Sequence, residues 1–134
     1  MYHFSISHCG DYAAVMVSTE CRVGVDIERI TEKVKKVQHK FLSSSELLLI
    51  ENLSASNSNM FTTLLTAAWG IKESLFKWYG DGEVDFIEHL HIEKIDIENN
   101  QGAAYCKVLK AIGTRLKVNF IFFNNNCLSW VLSA

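Results

Sequence analysis

The sequence has no proline, where average usage of about 5% would supply several in a chain of 134 residues; no functional reading follows from that absence. It also has no C-x-x-C pair and no clustered histidines. Cys9, Cys21, Cys106 and Cys127 stand far apart, which excludes a zinc site or a small disulfide framework of familiar spacing and leaves buried free thiols as the expectation. There is no apolar run long enough to span a bilayer, and no basic segment followed by an apolar one behind Met1. A membrane partner is therefore not expected, and a cytoplasmic location is. A formal net charge of -2 removes any bulk electrostatic reason to expect binding to nucleic acid or to an anionic membrane. What is present is 49% apolar and 21% charged residues, close to the globular average, in a chain long enough to close one hydrophobic core.

The pattern along the chain is that of an α+β domain. Phe4 to Ile6 and Tyr12 to Val17 are β-prone runs around Ser7, His8, Cys9, Gly10 and Asp11, which reads as a hairpin with His8 at its turn. A third strand, Arg22 to Ile27, alternates Val23, Val25 and Ile27 with the other face, to which Asp26 and Glu28 both belong. From Thr31 to Leu42, Val34, Val37 and Phe41 recur at helical spacing among Lys33, Lys35, Lys36 and Lys40, as in a basic amphipathic helix. Ser43 and Glu46 form a capping box ahead of Leu47 to Leu53. Met60 to Tyr79 is the longest helical pattern, with Gly80 as its stop. Antiparallel strands are expected over Phe86 to His91, Ile92 to Ile97, Ala104 to Leu109, Leu116 to Phe123 and Leu128 to Leu132, with turns at Asn99 to Gly102 and Asn124 to Asn126. The first hairpin and the last, Phe120 to Ser133, echo one another weakly.

Three acidic residues carry the chemistry. A strand presenting Asp26 and Glu28, facing a helix presenting Glu73, offers carboxylate oxygens to a hard cation such as magnesium, which keeps coordination places for water and phosphate oxygens. Lys77 follows Glu73 by one helical turn and suits the neutralisation of a diphosphate, and Lys72 could assist from the side. Taken singly these are ordinary features: alternating carboxylates usually face solvent, and Glu73 with Lys77 is a common i, i+4 pair. His89 and His91 lack a third nitrogen or sulfur ligand and read as structural, while Trp69 and Trp78 read as packing residues.

Taken together, Gly24-Val25-Asp26-Ile27-Glu28 and Trp69-Gly70-Ile71-Lys72-Glu73-Ser74-Leu75-Phe76-Lys77 resemble the G-[VI]-D-x-E strand and W-x-x-K-E-[SA]-x-x-K helix of the 4'-phosphopantetheinyl transferases. Ile6-Ser7-His8-Cys9 resembles the I-S-H-S turn of the surfactin-type branch, with Cys9 in place of the second serine. Lys40-Phe41-Leu42-Ser43-Ser44-Ser45-Glu46 resembles its R-F-F-x-x-x-E segment, with lysine for arginine. The resemblance implies an antiparallel sheet packed on a long central helix and a magnesium-dependent transfer of phosphopantetheine from coenzyme A to a serine of an acyl or peptidyl carrier protein, releasing 3',5'-ADP. It assigns the metal to Asp26, Glu28 and Glu73, serine deprotonation to Glu73 or a metal-bound water, and Lys72 and Lys77 to the phosphates. Ser7 and His8 are assigned to the nucleotide end of coenzyme A, and Gly24 to close approach of a ligand.

Surfactin-type members carry two lobes with coenzyme A between them. By that resemblance residues 1–19 correspond to the last hairpin of a first lobe and residues 20–134 to the catalytic second one. Short relatives assemble as trimers, so self-association into a homo-oligomer is expected, and the lysines at 33, 35, 36 and 40 could steer an acidic carrier protein. Two rivals remain at this point: a catalytically impaired, truncated relative that binds coenzyme A or carrier protein without turnover, and a plain α+β interaction domain.

Overall fold

Strand β3 (Arg22–Arg29) is the element on which the rest is arranged. A computed structural model describes residues 2–110 and 113–133 of the chain. Before β3 come β1 (His3–Cys9) and β2 (Tyr12–Ser18), joined by a two-residue turn in which Gly10 supplies the positive φ of 58°. After it come a one-turn α1 (Val34–Val37), a 3-10 turn (Gln38–Lys40), α2 (Ser44–Leu53) and the long α3 (Ser58–Tyr79). The chain closes with β4 (Leu90–Glu98), β5 (Gln101–Val108), β6 (Thr114–Phe123) and β7 (Asn126–Ser133). The fold is α+β: a five-stranded antiparallel sheet in the order β3-β7-β6-β5-β4, with β1-β2 as a separate two-stranded ribbon.

Alternation on β3 and β7 makes the layers. Asp26 and Glu28 on β3, and Ser129 on the facing β7 where it pairs with Asp26, point toward α3. Val23, Val25 and Ile27 point the other way and are buried beneath the ribbon, which packs on β3. Helix α3 crosses β3 at Gly24, where a methyl group would lie 2.0 Å from the Ser74 carbonyl oxygen. Gly24 is thus explained by helix packing rather than by approach of a ligand. The core of Leu64, Leu65, Ala68, Ile71, Leu75, Val118, Phe120 and Val131 fills the space between α3 and the sheet, burial worth roughly 1.5–3 kcal/mol for each large side chain.

The long helix ends as its sequence implies, with Gly80 left-handed at φ 78° and donating to the Phe76 carbonyl. The capping box at Ser43 forms with both of its hydrogen bonds. Three expectations need correction. The basic segment makes a single helical turn and a 3-10 turn instead of a helix over Thr31 to Leu42, because the Phe41 ring is buried against Trp69, at a centroid distance of 5.1 Å, and its carbonyl is taken by Lys72. The strand expected over Phe86 to His91 does not form as such: Asp85 Oδ1 accepts the amides of Ile87 and Glu88 and folds residues 86–89 into a turn, leaving one strand, Leu90–Glu98, where two were expected. His8 lies within β1, paired with Ala13, not at the turn.

Candidate active site

The second side of α3 that matters faces β3. Asp26 is 3% exposed, with Glu28 beside it half-buried, and Glu73 and Lys77 reach the same place from the helix. Gly70, one turn before Glu73, opens the space: a methyl group on it would lie 3.0 Å from Ser129 Oγ, 3.5 Å from Asp26 Oδ2 and 3.9 Å from Glu28 Cγ. The Lys77 ammonium donates to Asp26 Oδ1 at 3.3 Å, to the Val25 carbonyl at 3.0 Å and to the Ile6 carbonyl at 3.3 Å. It therefore ties helix, strand and ribbon together at the rim of the site, with its side chain 27% exposed.

The two oxygens of Asp26 differ. Oδ1 receives Lys77 and the Ser7 hydroxyl at 3.3 Å, whereas Oδ2 is buried and has no hydrogen-bond partner among the described residues. Burial, and after it the adjacent Glu28 carboxyl, push the Asp26 carboxyl up to about 8, against the opposing pull of Lys77. Glu73 is also raised, first by burial and then by the charge of Asp26. Three carboxyls thus crowd one region with a single ammonium, that of Lys77, among the described residues. Near neutral pH the Asp26 carboxyl therefore holds a proton, which a bound cation would replace.

Among the described residues no three His, Cys, Asp or Glu side chains stand close enough together to form a ready-made metal cluster. The donors nevertheless fit a hard divalent ion. They are all oxygen, they are crowded beyond what one lysine neutralises, and one of them, Asp26 Oδ2, is buried without a hydrogen-bond donor.

Two of the residues expected at the site are elsewhere. Lys72 is wholly buried on another side of α3, where its ammonium donates to the Phe41 carbonyl at 2.6 Å, to Glu46 Oε1 at 2.8 Å and to the Phe86 carbonyl at 2.8 Å. All three of its donors are used, so it has none for a phosphate. Burial pulls its ammonium below the usual lysine range, and Glu46 opposes that pull. His8 is exposed on the opposite face of β1 from Ser7. The two therefore do not face one ligand, because successive strand residues point to opposite sides. Ser7 does meet the site, but through Asp26. It accepts the Ile27 amide at 3.0 Å and gives its one proton to Oδ1.

Two participants were not foreseen. Glu46 was read as the partner of the Ser43 cap and as the glutamate of the R-F-F-x-x-x-E segment, yet its 4%-exposed carboxylate also takes Lys72 and the Ile92 amide. Gly70 sits at a position that the motif leaves open, and only the packing shows what space it clears.

The sequence profile of the 4'-phosphopantetheinyl transferase superfamily matches residues 22–111, which holds β3, α3 and all three carboxylates. A 4'-phosphopantetheinyl transferase (gsp) of Aneurinibacillus migulanus is 34% identical over 92 residues, which is 69% of this chain and 37% of the relative. A Synechocystis sp. protein provisionally given the same designation (slr0495) is 30% identical over 81 residues, 59% of this chain and 32% of the relative. The chain spans about a third of the length of these relatives. With the profile covering most of the sequence, this chain belongs to the 4'-phosphopantetheinyl transferase superfamily.

Proposed function

We propose that the chain transfers the 4'-phosphopantetheine group of coenzyme A to a serine hydroxyl of an acyl or peptidyl carrier protein and releases 3',5'-ADP. The observation that carries this reading is the crowding of Glu28 and Glu73 around Asp26, whose Oδ2 is buried without a hydrogen-bond donor among the described residues. Asp26 and Glu28, with Glu73 beside them, would hold magnesium, which when bound supplies positive charge to a diphosphate. Glu73 accepts the serine proton. Its raised pKa makes it a better base than a solvated glutamate, which suits the task near neutral pH. Lys77 brings the one ammonium of the site and holds Asp26 in place. Lys33, Lys36 and Lys40 form an exposed basic surface next to α1 suited to an acidic carrier.

Self-association belongs to the same reading. The outer face of the ribbon exposes Phe4, Ile6, Val15 and Val17 between 55% and 67%, while its serines turn inward. A second copy covering this face would remove an apolar patch and complete a wall near the site. We place the enzyme in the cytoplasm.

A second reading is a relative that binds coenzyme A or carrier protein without turnover. Its support is the absence of a ready-made metal cluster among the described residues. Mass spectrometry of an apo carrier protein incubated with coenzyme A and magnesium decides between them. Transfer that Glu73→Gln abolishes supports the first reading, and calorimetric binding of coenzyme A without any transfer supports the second.

A further inference from the structure

Strand β1 lies outside the segment matched by the family profile and yet touches the buried carboxylate. It does so with side chains rather than main chain: Ser5 Oγ accepts the Val25 amide and Ser7 Oγ accepts the Ile27 amide, each at 3.0 Å. The two serines thus satisfy alternate amides of the free edge of β3, which is why the polar face of β1 is buried and its apolar face is not. Their protons have different destinations. That of Ser7 goes to Asp26 Oδ1, flanking the amide it accepts, whereas Ser5 makes no hydrogen bond to a carboxylate among the described residues.

We propose that Ser7 is a positioning residue for Asp26, fixing Oδ1 so that Oδ2 is the oxygen offered to a divalent cation. The torsion that swaps the two oxygens of an aspartate is soft, and either oxygen would otherwise serve. Here Ser7 and Lys77 both donate to Oδ1 at 3.3 Å, and no donor among the described residues reaches Oδ2. A hydroxyl has one proton, so a serine committed to Asp26 does not donate to a nucleotide phosphate. The family-matched segment alone would lack this restraint. The inference rests on the reading of Asp26 as a metal ligand, and Ser5 is its internal control, since it makes the same bond to the same strand edge.

The test is titration of the full chain with Mn2+ alone, free ion being followed by electron paramagnetic resonance, alongside thermal melts. Ser5→Ala and Ser7→Ala should lose stability alike, but only Ser7→Ala should bind Mn2+ more weakly, by about tenfold, as when the hydrogen-bond partner of a ligand is lost. Ser7→Thr, which keeps the hydroxyl, should restore affinity to within about twofold of the parent. If Ser7→Ala binds like the parent while Asp26→Asn does not, the positioning role is wrong and the metal reading stands. Should the parent bind no Mn2+, or should Asp26→Asn bind as well as the parent, the metal reading fails and this inference fails with it.

Discussion

Helix α3 carries two lysines five residues apart, each joined to a buried carboxylate, and the two pairs have opposite designs. At Lys72 and Glu46 every group is satisfied. The ammonium has three acceptors, and the carboxylate takes the lysine and the amides of Ser43 and Ile92. At Lys77 and Asp26 the lysine is partly exposed, its contacts are longer, one carboxylate oxygen has no partner, and two further carboxyls press on the pair. A sealed pair fixes structure because nothing is left over to react. An unfinished pair keeps a capacity for another ligand, and the family motif contains one lysine of each kind.

The contrast is broken most severely at the sealed pair. Lys72→Met leaves Glu46 buried without its counter-charge and should cost about 3–5 kcal/mol in urea denaturation, whereas Lys72→Met with Glu46→Leu should recover a large part of that loss. At the open pair the damage should move from stability to chemistry. Glu73→Gln should lower phosphopantetheine transfer by about 10²–10⁴-fold, read by mass spectrometry of the carrier, with the melting temperature nearly unchanged.

Lys77→Met should cost only about 1 kcal/mol, because Asp26, raised to about 8, already holds a proton near pH 7 and is not left as a buried unpaired charge. A further effect concerns pH. The Asp26 carboxyl sits at about 8 in the folded chain against an ordinary 3.8, so in that window the folded state binds more protons than the unfolded one. Stability should therefore fall as pH rises from about 4 to about 8 and level off above. Asp26→Asn should flatten most of that slope in thermal melts, leaving the smaller part that Glu73 contributes with the same sign.

Much of this was legible in order, and the failures have one cause. The shared face of Asp26 and Glu28, the capping box at Ser43, the reach of α3 and its stop at Gly80 follow from local periodicity and backbone preference, which a sequence records directly. Lys72 was misplaced because local spacing says that it and Lys77 lie on different sides of a helix, but not which side the protein encloses. That depends on Glu46 and on the carbonyls of Phe41 and Phe86, which lie 14 to 31 residues away. The ribbon misled for the same reason. Alternation in β1 is correct, yet the serines face inward, since the edge of β3 needs hydroxyl acceptors that no pattern within β1 announces. The turn at Asp85 did carry a local signal, an aspartate preceding two amides that it caps, and the β-prone residues around it obscured that signal.

The most direct measurement is an anomalous difference map from crystals grown with Mn2+ and coenzyme A. The account predicts a peak beside Asp26 Oδ2, within bonding distance of Glu28, and none at Glu46. A map with coenzyme A bound and no metal peak at Asp26, or with the metal at Glu46 instead, would contradict it.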